Sequence, residues 1–255
     1  GIPENLFMGQ FNGLNHTISN LNVEIETDAK GLFGAIKGGS LKNINITKAG
    51  VPATTKAGKW VGGLVGYFQA TSNENVIDNC HIDGVVINAP NMYRIGGLVG
   101  FWASGVQSTI TNSTVKNAVL TGGFAIGGIV GSVQGDGVKI STCEVDNIEI
   151  RHSKQYCWKT DPTYPNYAKE TGGYVYASSP VIGDLSNVWL NKITLGNNWK
   201  IIDLDGHDVT NYNKATWTKL PYAGEIGNLY VNSITKETAD QLPQHNGKFT
   251  TAARQ

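Results

Sequence analysis

The tetrapeptide Gly31-Leu32-Phe33-Gly34 returns as Gly63-Leu64-Val65-Gly66, Gly97-Leu98-Val99-Gly100 and Gly128-Ile129-Val130-Gly131, at spacings of 32, 34 and 31 residues. Three of the four are preceded by a further glycine: Gly62, Gly96 and Gly127. Nothing else in the sequence constrains the fold so strongly. A unit of roughly 30 residues cannot bury an apolar face by itself and must stack on its neighbours to form a core.

A second signature follows these tetrapeptides by ten to sixteen residues: an apolar residue, any residue, Asn, a small or apolar residue, any residue, an apolar one. It spans Ile18–Val23, Leu41–Ile46, Ile77–Ile82 and Ile110–Val115, and Ile140–Val145 with Thr142 in place of Asn. It returns at Leu185–Leu190 and, in weaker form, at Ile226–Val231. Each repeat therefore holds two short β-favouring runs separated by Gly, Asn, Ser and Thr, with no helical period between them. Units stacked about 4.8 Å apart satisfy each strand against the coil before and after. The predicted fold is all-β, a parallel β-helix-like solenoid of roughly 30-residue repeats. A leucine-rich repeat is disfavoured, because its asparagine follows the leucines, whereas here it sits between Ile77 and Ile82.

This register predicts a buried ladder of Asn20, Asn43, Asn79, Asn112, Asn187 and Asn228, with amides bonded from coil to coil. The next rank, Leu21, Ile44, Cys80, Ser113, Cys143 and Val188, is small or apolar, so Cys80 and Cys143 are expected as core fillers. With Cys157 the cysteines are odd in number and lack CxxC spacing. Neither a disulfide framework nor a metal site is expected, and no cofactor motif is present.

Composition narrows the function. Hydrophobic residues make up 40% of the chain, enough for a core, and charged residues only 16%. Twenty basic residues cancel twenty acidic ones, and only Arg94, Arg151 and Arg254 are arginines, which argues against a nucleic-acid or anionic-membrane surface. No run approaches 18 apolar residues, so no transmembrane segment is expected. No signal peptide opens the chain; an exported protein would already have lost it.

The Gly-Leu-any-Gly repeats, together with the opening Phe11–Asn20, resemble the GLUG-motif family of bacterial repeat proteins. The resemblance covers residues 11 to about 150 well, and 180–195 only through the asparagine signature. It implies an extracellular or cell-surface protein, often an adhesin module or the non-catalytic part of a secreted peptidase. It transfers no catalytic residue.

Residues 152–178 break the repeat with an insertion rich in aromatic residues and proline. Tyr156, Trp158, Tyr164 and Tyr167 are candidate ligand-binding residues, since insertions in solenoids form loops on one face and rigid amphipathic rings suit sugars or protein partners. Tyr67 and Phe101 form a second candidate. Alternation places the rank Ile36, Phe68, Trp102, Val133 in the core, and Tyr67 and Phe101 would then stand outside on neighbouring coils. The one acid cluster, Asp203-Leu204-Asp205-Gly206-His207-Asp208, puts Asp203 and Asp205 on one face of a strand, a spacing compatible with a glycosidase pair, with His207 beside them. It also echoes the opening Asn15–Asn20, which reads as a repeat-unit turn.

Residues 180–220 read as degenerate last coils, and 221–255 as a C-terminal cap and tail with a short helix over Thr235–Leu242 and fraying from Gly247. Two functions stay open. A non-enzymatic exported or surface module binding a glycan or host-matrix protein is preferred. A carbohydrate-active β-helix enzyme is the alternative, resting on fold analogy alone.

Overall fold

The computed structural model describes residues 4–24, 27–52, 59–72, 74–135, 137–153, 178–184, 188–196, 198–202, 206, 208, 229–232 and 249–250. Its strands are β1 (Phe7–Asn12), β2 (Thr17–Ser19), β3 (Ala29–Lys30), β4 (Phe33–Thr47), β5 (Gly50–Pro52), β6 (Trp60–Gly62) and β7 (Val65–Gln69). There follow β8 (Asn75–Asp83), β9 (Val86–Gly96), β10 (Val99–Ala103), β11 (Ser108–Thr111), β12 (Thr114–Gly127), β13 (Val130–Gln134) and β14 (Val138–His152). The last are β15 (Ser178–Ser179), β16 (Ile182–Asp184), β17 (Val188–Leu195), β18 (Trp199–Ile202), β19 (Leu229–Asn232) and β20 (Phe249–Thr250). They pair in parallel from coil to coil, β4 on β7 on β10 on β13 on β16, to build a β-solenoid of about four turns.

Long strands such as β4, β8, β12 and β14 are not straight. They bend at single residues in the left-handed region, and these residues stack. One corner carries Asn43, Asn79, Asn112, Thr142 and Lys192, with φ of 57°, 52°, 51°, 54° and 52°. The next carries Asn20, Lys48, Gly84, Asn117 and Asn147, with φ of 57°, 55°, 81°, 54° and 53°. Asn is enriched there because its short polar side chain tolerates this conformation best among non-glycine residues.

A left-handed residue interrupts the two-residue alternation, so Leu41 and Ile44, three apart, both point inward. Along this part of one coil the inward set is Leu41, Ile44, Ile46, Ala49 and Val51; in the next it is Ile77, Cys80, Ile82, Val85 and Ile87. All ten are at most 3% exposed. The six-residue signature is therefore the imprint of a corner.

Glycine in the tetrapeptide has another cause. The motif joins two runs, such as β6 and β7, whose backbones then press together across adjacent coils. A Cβ on Gly66 would lie 2.5 Å from the amide nitrogen of Lys30 and 2.7 Å from the carbonyl oxygen of Gly34. One on Gly131 would lie 2.5 Å from Ile95 N and 2.6 Å from Gly100 O. Neither glycine has a positive φ, so close backbone approach selects it and not a turn conformation. The apolar residue of the motif, Leu64, Leu98 or Ile129, plugs the core at 0–1% exposure.

Two registers differ from the expectation. Asn20 stacks on Lys48 rather than Asn43, because β2 pairs Ile18 with Ile46. Past the insertion, Ile140 pairs with Leu190 and Cys143 with Ile193, so the corner signature there is Leu190–Leu195, five residues after the expected one. The apolar positions of the pattern are met at both offsets, the asparagine only at the first (Asn187, against Lys192), and pairing with β14 selects the second. The two late copies keep the register expected between them, with Val188 paired to Leu229 and Leu190 to Val231. β19 stacks parallel on β17 and β20 on β19. The expected helix over 235–242 lies outside the described residues. Pro180-Val181-Ile182-Gly183 occupies the tetrapeptide's place in the coil after the insertion, with Val130 paired to Ile182.

Candidate functional site

The alternation around Phe68 and Trp102 is as expected: both are 0% exposed, and their rings stack at 3.9 Å and 5° in the core. Tyr67 and Phe101 do point to the opposite side, but they are not a surface patch. They are 3% and 4% exposed in a second apolar cluster with Ala29, Ala35 and Trp60. Trp60 stacks on Tyr67 at 4.5 Å and on Phe101 at 5.6 Å. Trp60 lies in β6, on a different run of the coil, and strand alternation carries no information about such a neighbour. The Arg94 guanidinium sits 4.0 Å from the Phe101 ring centroid, and Lys59 sits 5.5 Å from that of Trp60. These cations border an aromatic stack whose faces are already spent on each other. Burial pushes the Tyr67 hydroxyl above its ordinary value, and Arg94 opposes that shift.

The asparagine corner lies at the surface and not in the core. Asn79 Nδ2 donates to Asn43 Oδ1 at 2.7 Å, and Asn43 Nδ2 donates to Asn12 Oδ1 at 3.0 Å. The ladder then changes partner. Asn112 Nδ2 donates to Asp78 Oδ1 at 2.8 Å, as does Thr111 Oγ1, while Asn79 Oδ1 meets His81 Nε2 at 2.8 Å. His81 Nδ1 contacts Thr114 Oγ1 at 3.0 Å. Partial burial, and secondarily Lys116, lower the His81 pKa, so the neutral ring is favoured there. The result is a continuous polar corner of Asn, Asp, Thr and His whose groups largely satisfy one another.

Cys80 and Cys143 take the inward rank predicted for them, Ile44, Cys80, Ser113, Cys143, with Ile193 beyond. Both thiols are free and buried, at 1% and 2% exposure. Cys80 Sγ lies 3.4 Å from the Asp78 carbonyl oxygen, and Cys143 Sγ 3.3 Å from that of Ser141. Burial pushes them up to about 12 and about 11. The thiolate is the nucleophile, so these groups should be inert. Native protein treated with iodoacetamide near neutral pH is expected to carry no label on Cys80 or Cys143 by peptide mapping, and to carry both labels after unfolding without reductant. Rapid native labelling of either would contradict this placement.

Sequence spacing offered no nucleophile beside a histidine, but the folded chain supplies one. His152 Nε2 lies 3.0 Å from Ser178 Oγ, with the two residues 4% and 0% exposed. At that burial no substrate reaches the hydroxyl, and the contact acts as a clasp. β14 ends at His152 and β15 begins at Ser178, so the bond ties together the two ends of the insertion. Tyr156, Trp158, Tyr164 and Tyr167 lie outside the described residues, as does Cys157.

Asp203, Asp205 and His207 also lie outside them. Of their described neighbours, β18 ends at Ile202, Gly206 has φ of 84°, and Ile202 bridges antiparallel to Asp208. Among the described residues no cluster of three His, Cys, Asp or Glu side chains is arranged to hold a metal ion. No described helix is long and apolar enough to cross a membrane. The fold and these surfaces define a parallel β-solenoid. No family model matches the chain, and neither a curated protein nor a solved structure does.

Proposed function

We propose that this chain is a non-enzymatic binding module of an exported or cell-surface bacterial protein, with the solenoid as scaffold and the aromatic insertion as the ligand-binding element. The observation that carries the reading is the His152–Ser178 clasp. β14 ends at His152 and β15 begins at Ser178, and a buried 3.0 Å hydrogen bond fixes those two points side by side. The sequence between them carries four aromatic rings from Tyr156 to Tyr167, and fixing its two ends limits the entropy its ordering costs on binding. Tyr and Trp offer flat apolar faces with a polar edge, matching the faces of sugar rings and the anchors of protein interfaces. The regular coils spend their inward side chains on packing and their corners on mutual hydrogen bonds. Resemblance to the GLUG-motif repeats supports export and a place at the bacterial surface.

The test is a glycan-array and host-matrix protein screen with the intact chain, followed by Trp158→Ala. Loss of a central aromatic anchor is expected to weaken binding by about tenfold or more, with the melting temperature nearly unchanged. Intact binding together with a large fall in melting temperature would instead make these rings cover for the core.

A further inference from the structure

One hydroxyl of the polar corner stands against an imidazole where solvent reaches both. Parallel register puts Asn45, His81, Thr114 and Glu144 in one outward rank, with Asn79 two residues before His81 in β8. His81 Nδ1 lies 3.0 Å from Thr114 Oγ1, and His81 Nε2 lies 2.8 Å from Asn79 Oδ1. All three residues are only half-buried, in contrast to Ser178 and His152.

The amides of the corner fix which ring nitrogen carries the proton. Asn79 Nδ2 donates to Asn43 Oδ1 and to Asn15 Oδ1, so Asn79 Oδ1 is an acceptor and takes the N–H of His81 Nε2. In the neutral ring Nδ1 is then the acceptor, and the Thr114 hydroxyl donates to it. Partial burial, and secondarily Lys116, keep the ring neutral at pH 7. Of the charged groups around it, Asp78 and Asp83 of its own strand are turned to Asn112 and Asn117, β4 presents the uncharged Asn45, and Lys116 of β12 pairs with Glu144 of β14 at 2.9 Å. Hydroxyl, imidazole and amide thus stand as nucleophile, general base and orienting group. Lys116, two residues beyond Thr114 on the same face of β12, places a cation beside the oxygen charge that such an attack develops.

We propose that Thr114 is an activated hydroxyl that accepts an acyl group from a carboxylic ester, with His81 as general base and Asn79 as the positioning residue that holds its tautomer. The Thr114 oxygen forms a bond to the acyl carbon, and the bond from that carbon to the leaving alcohol breaks. The hydroxyl proton passes to His81 Nδ1 and from there to the departing alkoxide, with no change of oxidation state. The product is an ester on Thr114. This goes beyond ligand binding by the insertion and rests on the corner alone, so either reading can fail without the other.

The intact chain treated with p-nitrophenyl acetate is expected to gain an acetyl ester that peptide mapping places on Thr114. Alkaline hydroxylamine should remove it while leaving acetamides on lysine in place. Its rate of formation should be level at neutral pH and fall as pH drops through a midpoint below that of an ordinary histidine, because the base form of His81 is required. That profile is read on the wild type and needs no variant. Thr114→Val should carry no such ester, Thr114→Ser should restore it, and His81→Gln should slow it about a hundredfold. Asn79→Asp keeps the acceptor and adds a negative charge beside the ring, so the midpoint should move upward. Acetylation of amines alone, an ester on other hydroxyls instead, an undiminished rate in His81→Gln, or a midpoint that Asn79→Asp leaves in place would each overturn the proposal.

Discussion

Trp102→Ala is expected to be the most destabilising single truncation in the described core, costing about 4 kcal/mol. The indole is 0% exposed and stacks on Phe68 with centroids 3.9 Å apart, so its removal takes away a large buried surface and one face of an aromatic pair. Val133 continues the rank on the far side, and every coil above and below is held by its own ladder, so the walls cannot collapse onto the space. Trp102→Phe separates volume from polarity. Trp102 Nε1 is buried without a hydrogen-bond partner, and phenylalanine deletes that unpaired donor while keeping a ring on Phe68. The loss for Phe should therefore stay within about 1.5 kcal/mol. Chemical denaturation of both variants checks this; equal losses would show that stacking area is not what the site contributes.

Gly131→Ala should come close to the tryptophan truncation for the addition of a single methyl group. The new Cβ would stand 2.5 Å from Ile95 N, 2.6 Å from the Arg94 carbonyl carbon and 2.6 Å from Gly100 O. All three are backbone atoms of neighbouring coils, which cannot swing aside as a side chain can. Relief requires the two runs to separate, and that disturbs the ladder on both sides at a cost of about 3 kcal/mol. Gly50→Ala is the internal control. It too lies in a strand, but its Cβ would meet only Asn22 Oδ1, at 3.4 Å, and the change should fall within about 0.5 kcal/mol of wild type. Similar melting temperatures for the two variants would remove close approach as the reason for the repeated glycines.

The asparagine corner shows how a repeat can be legible while its meaning is not. Asn43, Asn79 and Asn112 recur in one rank, as the sequence indicates, and the first two do bond one another. Yet what the corner requires is a left-handed backbone, and Thr142 and Lys192 meet the same requirement with φ of 54° and 52°. Periodicity alone could not separate a rule about side-chain amides from a rule about φ. The insertion hid the register behind it in the same way. Leu185 and Leu190 each begin a run with the apolar spacing of the signature, the asparagine favours the first, and pairing with β14, a contact between distant parts of the chain, selects the second.

What the sequence by itself determined is the part of the fold built from local period. The recurrent tetrapeptide and the corner signature imply stacked coils, parallel pairing, and an inward rank of Ile44, Cys80, Ser113 and Cys143, because side-chain direction in a strand follows from position parity and each repeat resets it. Only the tertiary structure decided the rest. Tyr67 and Phe101 lie under Trp60, and Ser178 reaches His152 across the insertion. Each of these depends on which run lies beside which. Stacking sets those neighbours through contacts far apart in the chain, and no pattern within one repeat encodes them.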